Sequence, residues 1–333
     1  MNDERTAAGS PSSFIVHRSS FGVALLALSA LLVLSIALGV RFGATPIHWN
    51  DPTSRTILLQ IRLPRVLLAA AIGAALAVAG VTFQTLLRNP LADPFILGVS
   101  GGAACGAAVS AALGLSRIPG LVPLIAFAGA CGATAAVFLL ARRRDHTDPT
   151  RLLLSGLVLN AFFSAVILIS FGLARQSDLT AALRWMMGTV AGATWTAVAL
   201  VVAFLVVTML ILAWFANDLR MLAFGEEDAK ARGVDVERVT LAGFAAASIV
   251  TGAAVAVSGI IGFVGLLVPH LIRLIWRRDF RFLLPLCALG GAALMAGADL
   301  VSRVSVPDAE LPIGAFTAIL GVPFFLSLLR RAR

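Results

Sequence analysis

Along this chain, long apolar runs alternate with short connections in which the arginines collect. Several runs reach the roughly 20 residues that a helix rising 1.5 Å per residue needs to cross a hydrocarbon core about 30 Å thick. The runs predict helices near residues 21–40, 66–87, 95–113, 121–141, 152–174, 192–216, 239–258, 260–275, 282–302 and 313–329. The eighth is short and interrupted by Pro269. The fold expected is therefore an all-α polytopic membrane protein with about ten transmembrane helices. Residues 1–20 are polar and read as a disordered tail, and residues 21–333 as a single transmembrane domain. The run from Phe21 to Val40 is as long as a full span and lacks an A-x-A-like cleavage site, so it reads as the first helix and not as a signal peptide.

Composition agrees. Of 333 residues, 59% are apolar and 13% charged, against roughly 25% charged in soluble domains. The net charge of +9 does not point to nucleic acid, because the basic residues lie between apolar runs and not on one soluble face. Cys105, Cys131 and Cys287 fall inside apolar stretches without CxxC spacing and read as small packing residues.

The arginines also orient the chain. With the N-terminus inside, 18 of the 26 Lys and Arg residues fall in inside connections, among them Arg142, Arg143, Arg144 and Arg220. This bias places both termini in the cytoplasm. An internal repeat fits the even count. "GAALAVAGVTFQTLLRNP" (73–90) aligns with "GAAVAVSGIIGFVGLLVP" (252–269), matching Gly73 with Gly252, Gly80 with Gly259, and Pro90, after Asn89, with Pro269, before His270. Five crossings separate the copies, so the second is inverted relative to the first. The third helix carries Gly98, Gly101, Gly102 and Gly106. Such small residues let helix backbones approach closely, or leave room for something to pass.

Some chemistry is absent from the sequence. The only lysine, Lys230, is followed by alanine, so no Gly-Lys-Ser/Thr phosphate loop exists. His17, His48, His146 and His270 have no metal-ligand spacing. No acid falls near the middle of a predicted span, Asp299 coming closest beside Arg303. That argues against an ion-coupled secondary transporter, the alternative function, which needs a buried titratable group. No nucleophile–base pair marks a membrane-embedded enzyme either.

Taken in order, "RLPRVLLAAAIGAALAVAG…LLRNPLADPFILGVSGGA" (62–103), "LLLSGLVLN" (152–160), "WMMGTV" (185–190), "GFVGLLVPHLIR" (262–273) and "ELPIGAFTAILGVPFF" (310–325) resemble the FecCD-type permease subunits of bacterial ABC importers for ferric siderophores, haem and vitamin B12. The resemblance implies a type II importer permease of the inner membrane, working as a homodimer with alternating access at the dimer interface. Two separate cytoplasmic ATPases, holding the ATP and Mg, would drive it, and a periplasmic substrate-binding protein would supply it. The chain itself would bind no cofactor or metal and catalyse no reaction.

The resemblance also gives a role to "LAFGEEDAKARGV" (222–234), a polar segment in an apolar chain. In the family this connection forms a coupling helix gripped by the ATPase, and Leu222, Gly225, Glu226, Glu227, Asp228, Ala229, Arg232 and Gly233 match its pattern. The residues suit a short helix. Gly225 and Gly233 can bound it, and three acids sit at the positive end of its dipole. In the family, arginines matching Arg62, Arg65 and Arg303 face carboxylates of the binding protein; a lipid-facing role is the alternative.

Overall fold

A computed structural model describes residues 11–43, 52–142, 148–275, 279–306 and 310–331. Its elements are helices: α1 Pro11–Arg41, α2 Pro52–Leu86, α3 Val99–Ala112, α4 Leu121–Ala141, α5 Pro149–Leu173, α6 Gln176–Met186, α7 Trp195–Trp214, α8 Ala216–Leu222, α9 Glu226–Ala231, α10 Val236–Ser258, α11 Val264–Ile275, α12 Phe280–Val304 and α13 Ile313–Arg331. Seven of them (α1, α2, α4, α5, α7, α10 and α12) are long and apolar enough to cross a membrane, and α3, α11 and α13 are shorter apolar helices. These ten match the ten expected runs.

Local signals explain several boundaries. Asp148 accepts the Thr150 N–H at 2.9 Å with Pro149 in the first turn, so α5 starts three residues before the apolar run does. Thr194 and Asp235 cap α7 and α10 in the same way. The first helix reaches back to Pro11, into the segment expected to be a tail, because proline suits a first helical turn and nothing breaks the helix before Phe21. Residues 1–10 lie outside the described residues. Within α2, Ile57–Arg62 is wound as a π-helix just ahead of Pro64. Proline has no N–H to close the regular bond one turn back, and the wider turn absorbs the defect.

The helix α2 is the axis of the molecule, with 94% of its apolar window buried. It is approached backbone to backbone. A Cβ on Gly73 would lie 2.1 Å from the Gly291 carbonyl oxygen of α12, and one on Gly291 would lie 2.2 Å from the Gly73 oxygen. A Cβ on Gly80 would lie 1.9 Å from the Gly265 oxygen of α11. Gly102 of α3 and Gly129 of α4 make a similar reciprocal contact, at 2.4 and 2.3 Å. Of the glycines of the third helix, Gly102 and Gly106 thus let backbones meet, while Gly101 makes room for the Asn160 side chain.

The two halves share one plan, with a corrected register. The helix α2 ends at Leu86, is followed by left-handed Arg88 (φ 49°), and leads to the short helix α3. The helix α10 ends at Ser258, is followed by left-handed Gly259 (φ 71°), and leads to the short helix α11. Equivalent ends are thus 172 positions apart, whereas matching Gly73 with Gly252 sets them 179 apart. In that matching Gly80 sits inside a helix and Gly259 at the end of one, so small-residue spacing alone mispaired them by two turns.

Gly80→Ala forces apart two backbones already in contact and is expected to destabilise the protein by about 1–3 kcal/mol. Gly132→Ala, on α4 with nothing within 4 Å of the new methyl, is expected to be neutral. Thermal unfolding of both variants in detergent checks the difference.

Candidate functional site

Three features stand out among the described residues: a short helical lever, a cavity among the loops, and a buried ion network.

The lever lies between α7 and α10. Gly225 (φ 143°) separates α8 from the six-residue α9, and Gly233 (φ 81°) ends it. The Gly233 N–H donates to Lys230 O at 2.9 Å and the Val234 N–H to Ala229 O at 3.1 Å, the paired bonds of a Schellman cap. Glu226, Glu227 and Asp228 form the first turn. Leu222 and Ala229 are buried and anchor the lever against the helices beneath it. Arg232 donates to the Met221 sulfur at 3.1 Å. Glu226 also reaches Arg88 at 3.3 Å, joining the lever to the loop between α2 and α3. The bounding role expected of Gly225 and Gly233 matches this geometry.

That loop enters the second feature. The helices α3 and α11 are too short to cross the bilayer, α3 being about 21 Å long at 1.5 Å per residue. The connections ahead of them, 87–98 and 259–263, help enclose a cavity of about 520 Å³. Asp93, Phe95, Met187, Phe263, Pro312 and Ala318 are among its lining residues. The loop before α3 is held by side chains. Asn89 accepts the Leu91 N–H at 2.9 Å, Asp93 accepts the Phe95 N–H at 2.8 Å, and the Asn160 amide donates to Phe95 O at 3.0 Å. A side chain on Gly101 would collide with Asn160, and one on Gly156 with Ile96 O. Irregular backbone is tolerated at such depth where it is buried in protein or lines a cavity. Of the other residues singled out, Gly98 (φ 84°) caps α3, Gly252 packs on Ala130, and Pro90 follows Asn89 in the loop. Pro269 lies within α11, and His270 meets Phe324 edge-on. Arg273 of α11 donates to Gln84 of α2.

The third feature contains Arg62, Arg65 and Arg303, which are 5%, 6% and 8% exposed and bound to the chain itself. Arg65 Nε donates to Asp299 Oδ1 at 2.8 Å, and Arg303 Nε lies 3.0 Å from the other carboxylate oxygen. Arg65 Nη1 reaches Glu310 at 2.7 Å. Arg62 donates to the carbonyls of Val40 and Arg41, and Arg303 to those of Gly39 and Phe42. These are the last carbonyls of α1, which have no partner inside the helix and lie at its negative end.

A correction concerns buried acids. Asp299 is fully buried, and Asp93 and Asp178 nearly so. Asp93 lies on a loop and Asp178 in the first turn of α6, a helix too polar and short to register as an apolar run. Asp299 lies in α12 and holds two guanidiniums, so it serves as their counter-ion.

A bundle of apolar helices around a glycine-lined axis, with short helices enclosing a cavity and a polar lever outside, defines the membrane subunit of a transporter. The chain belongs to the FecCD transport family, whose model matches residues 22–331. A cobalamin import system permease protein, BtuC, of Halobacterium salinarum is 43% identical over 296 residues, covering 88% of this chain and 79% of the relative. A hemin transport system permease protein, HmuU, of Yersinia pestis is 39% identical over 322 residues, covering 93% and 96%. A metal-chelate type ABC transporter solved in an inward-facing conformation superposes with a TM-score of 0.83 at 32% identity, covering 92% of this chain and 98% of that one. The protein is a permease subunit of an ABC importer.

Asp299→Asn leaves two buried guanidiniums without their carboxylate and is expected to cost about 3–5 kcal/mol. Glu237→Gln, which breaks the exposed Arg142–Glu237 pair, is expected to cost less than about 1 kcal/mol. Comparison of their unfolding in detergent tests the ranking.

Proposed function

We propose that two copies of this permease form a homodimer that imports an iron chelate, a ferric siderophore or haem, or else cobalamin, across the bacterial inner membrane by alternating access at their interface. Two cytoplasmic subunits bind and hydrolyse ATP with Mg, and a soluble periplasmic protein delivers the cargo. Both termini lie in the cytoplasm, as the arginine bias of the connections indicates. Residues 21–333 form one permease domain. The relatives named for cobalamin and hemin transport support a bulky chelate as cargo.

The observation that carries this reading is α9. It is a capped, acid-tipped turn of helix outside the apolar bundle, anchored by one buried face. A rigid lever of this kind can be gripped by a partner and moved as a unit. Leu222, Gly225, Glu226, Glu227, Asp228, Ala229, Arg232 and Gly233 form the proposed coupling surface. Arg62, Arg65 and Arg303 are the proposed docking residues for the carboxylates of the periplasmic protein, gathered at the end of α1 in the same cluster as Asp299.

Replacing residues 225–233 with a Gly/Ser linker is expected to abolish co-purification of the ATPase subunit while the permease still folds. Retained partner binding would refute the lever assignment. In cells lacking endogenous importers, the complete transporter is expected to accumulate one of labelled cobalamin, haem or ferric hydroxamate, and to stop when the ATPase is inactivated. Accumulation that survives ATPase inactivation and collapses with the proton gradient would replace this reading with an ion-coupled carrier.

A further inference from the structure

The buried ion network ends at Glu310, two residues before the cavity-lining Pro312. Arg65 is fixed from inside, since its Nε is bonded to Asp299, whose other oxygen lies against Arg303, itself bonded to Gly39 O. The Arg65 Nη1 points outward to the carboxylate of Glu310, a half-exposed side chain, at 2.7 Å. Glu310 lies on the segment that leads into α13, and Pro312 of that segment lines the cavity together with Gly314 and Ala318 of α13.

Two long backbone bonds also hold this segment, from Leu311 to Ser302 O at 3.3 Å and from Ile313 to Gly188 O at 3.2 Å. At Gly314 it meets the other two cavity segments at backbone distance. A Cβ there would lie 2.6 Å from Ile260 O and 2.7 Å from Met187 O. Three chain segments thus close on one another at Gly314, and the shortest bond holding the third of them is an ion pair to an immobile arginine. A hydrogen bond between charged groups is stronger than either backbone bond.

We infer that the Arg65–Glu310 pair is a latch that holds residues 310–312 and the first turn of α13 against one side of the cavity, and that its release opens the cavity on that side. Glu310 acts as a positioning residue for transport: it does not line the cavity itself but fixes the wall that does. The pair suits this task because only one partner is half-exposed. A wholly buried pair resists opening, and a wholly exposed one holds little. This inference rests on the importer reading for the outward placement of the latch, opposite the cytoplasmic lever.

The test measures access to the cavity in the full-length chain without its ATPase, so its outcome stands apart from whether transport is ATP-driven. Ala318→Cys is introduced as a half-buried reporter, and spheroplasts expressing the chain receive a membrane-impermeant maleimide. Labelling is read as the excess over the chain lacking the reporter. Adding Glu310→Gln is expected to raise the labelling rate about tenfold, while adding Glu237→Gln at the unrelated exposed pair leaves it unchanged. In the reporter chain that keeps Glu310, about 1 M NaCl is expected to raise the rate by screening the half-exposed carboxylate, with no further effect once Glu310→Gln is present. An unchanged rate in a normally folded Glu310→Gln chain overturns the latch. If that variant does not fold, a rate insensitive to salt in the reporter chain overturns it instead. In the assembled transporter, Glu310→Gln is expected to lower cargo moved per ATP while hydrolysis persists; loss of uptake in every form, with the labelling change intact, would fault the importer reading and leave the latch standing.

Discussion

Lipid is as apolar as leucine, so helices in a bilayer gain little from hiding apolar faces from water, and close packing must hold them together. Everything in this molecule depends on that constraint being met along α2. The contacts of Gly73 with Gly291 and of Gly80 with Gly265 bring α12 and α11 onto its backbone, at distances that even a methyl group would prevent. Dispersion between so many atoms in contact replaces the missing hydrophobic drive. The positions of α11 and α12 set in turn where the irregular segments run. The cavity is the volume left where short helices and their loops take the place of full spans.

The same axis carries an electrostatic arrangement that a bilayer makes expensive. Asp299 and its two arginines are removed from water, and such ions persist only when every one is paired and hydrogen-bonded. The pairing here also solves a backbone problem, because Arg62 and Arg303 satisfy the open carbonyls at the end of α1. The helix α1 is otherwise largely exposed along its length. One cluster thus ties α1, α2 and α12 together at the end where α1 stops. It also leaves Arg65 rigid enough to act as the fixed half of a movable pair.

The lever and the cavity are joined by the loop between α2 and α3. Arg88 at its start pairs with Glu226 of α9, and Asp93 and Phe95 further along line the cavity. The loop between these points is braced by Asn89, Asp93 and Asn160. A displacement of α9 therefore meets a stiff segment that ends in the cavity wall. That is the geometry a transporter needs if its energy enters on one side and its cargo passes elsewhere.

The sequence by itself determined the number and rough extent of the apolar helices, since hydropathy over twenty residues is a local property that burial only confirms. It also placed the short helix α9, because its capping glycines and leading acids act within one turn. The resemblance was legible for the same reason, in contiguous motifs such as 62–103 and 262–273. Tertiary structure alone decided the rest. The partner of a buried charge is 234 positions away for Arg65 and Asp299, and nothing in either neighbourhood announces the pairing. The register of the repeat was hidden because glycine spacing reports where backbones can meet, not where a helix ends. The helix α6 was missed because eleven mixed residues make no apolar run. The cavity, finally, exists only between segments far apart in the chain, and volume between segments has no signature in any one of them.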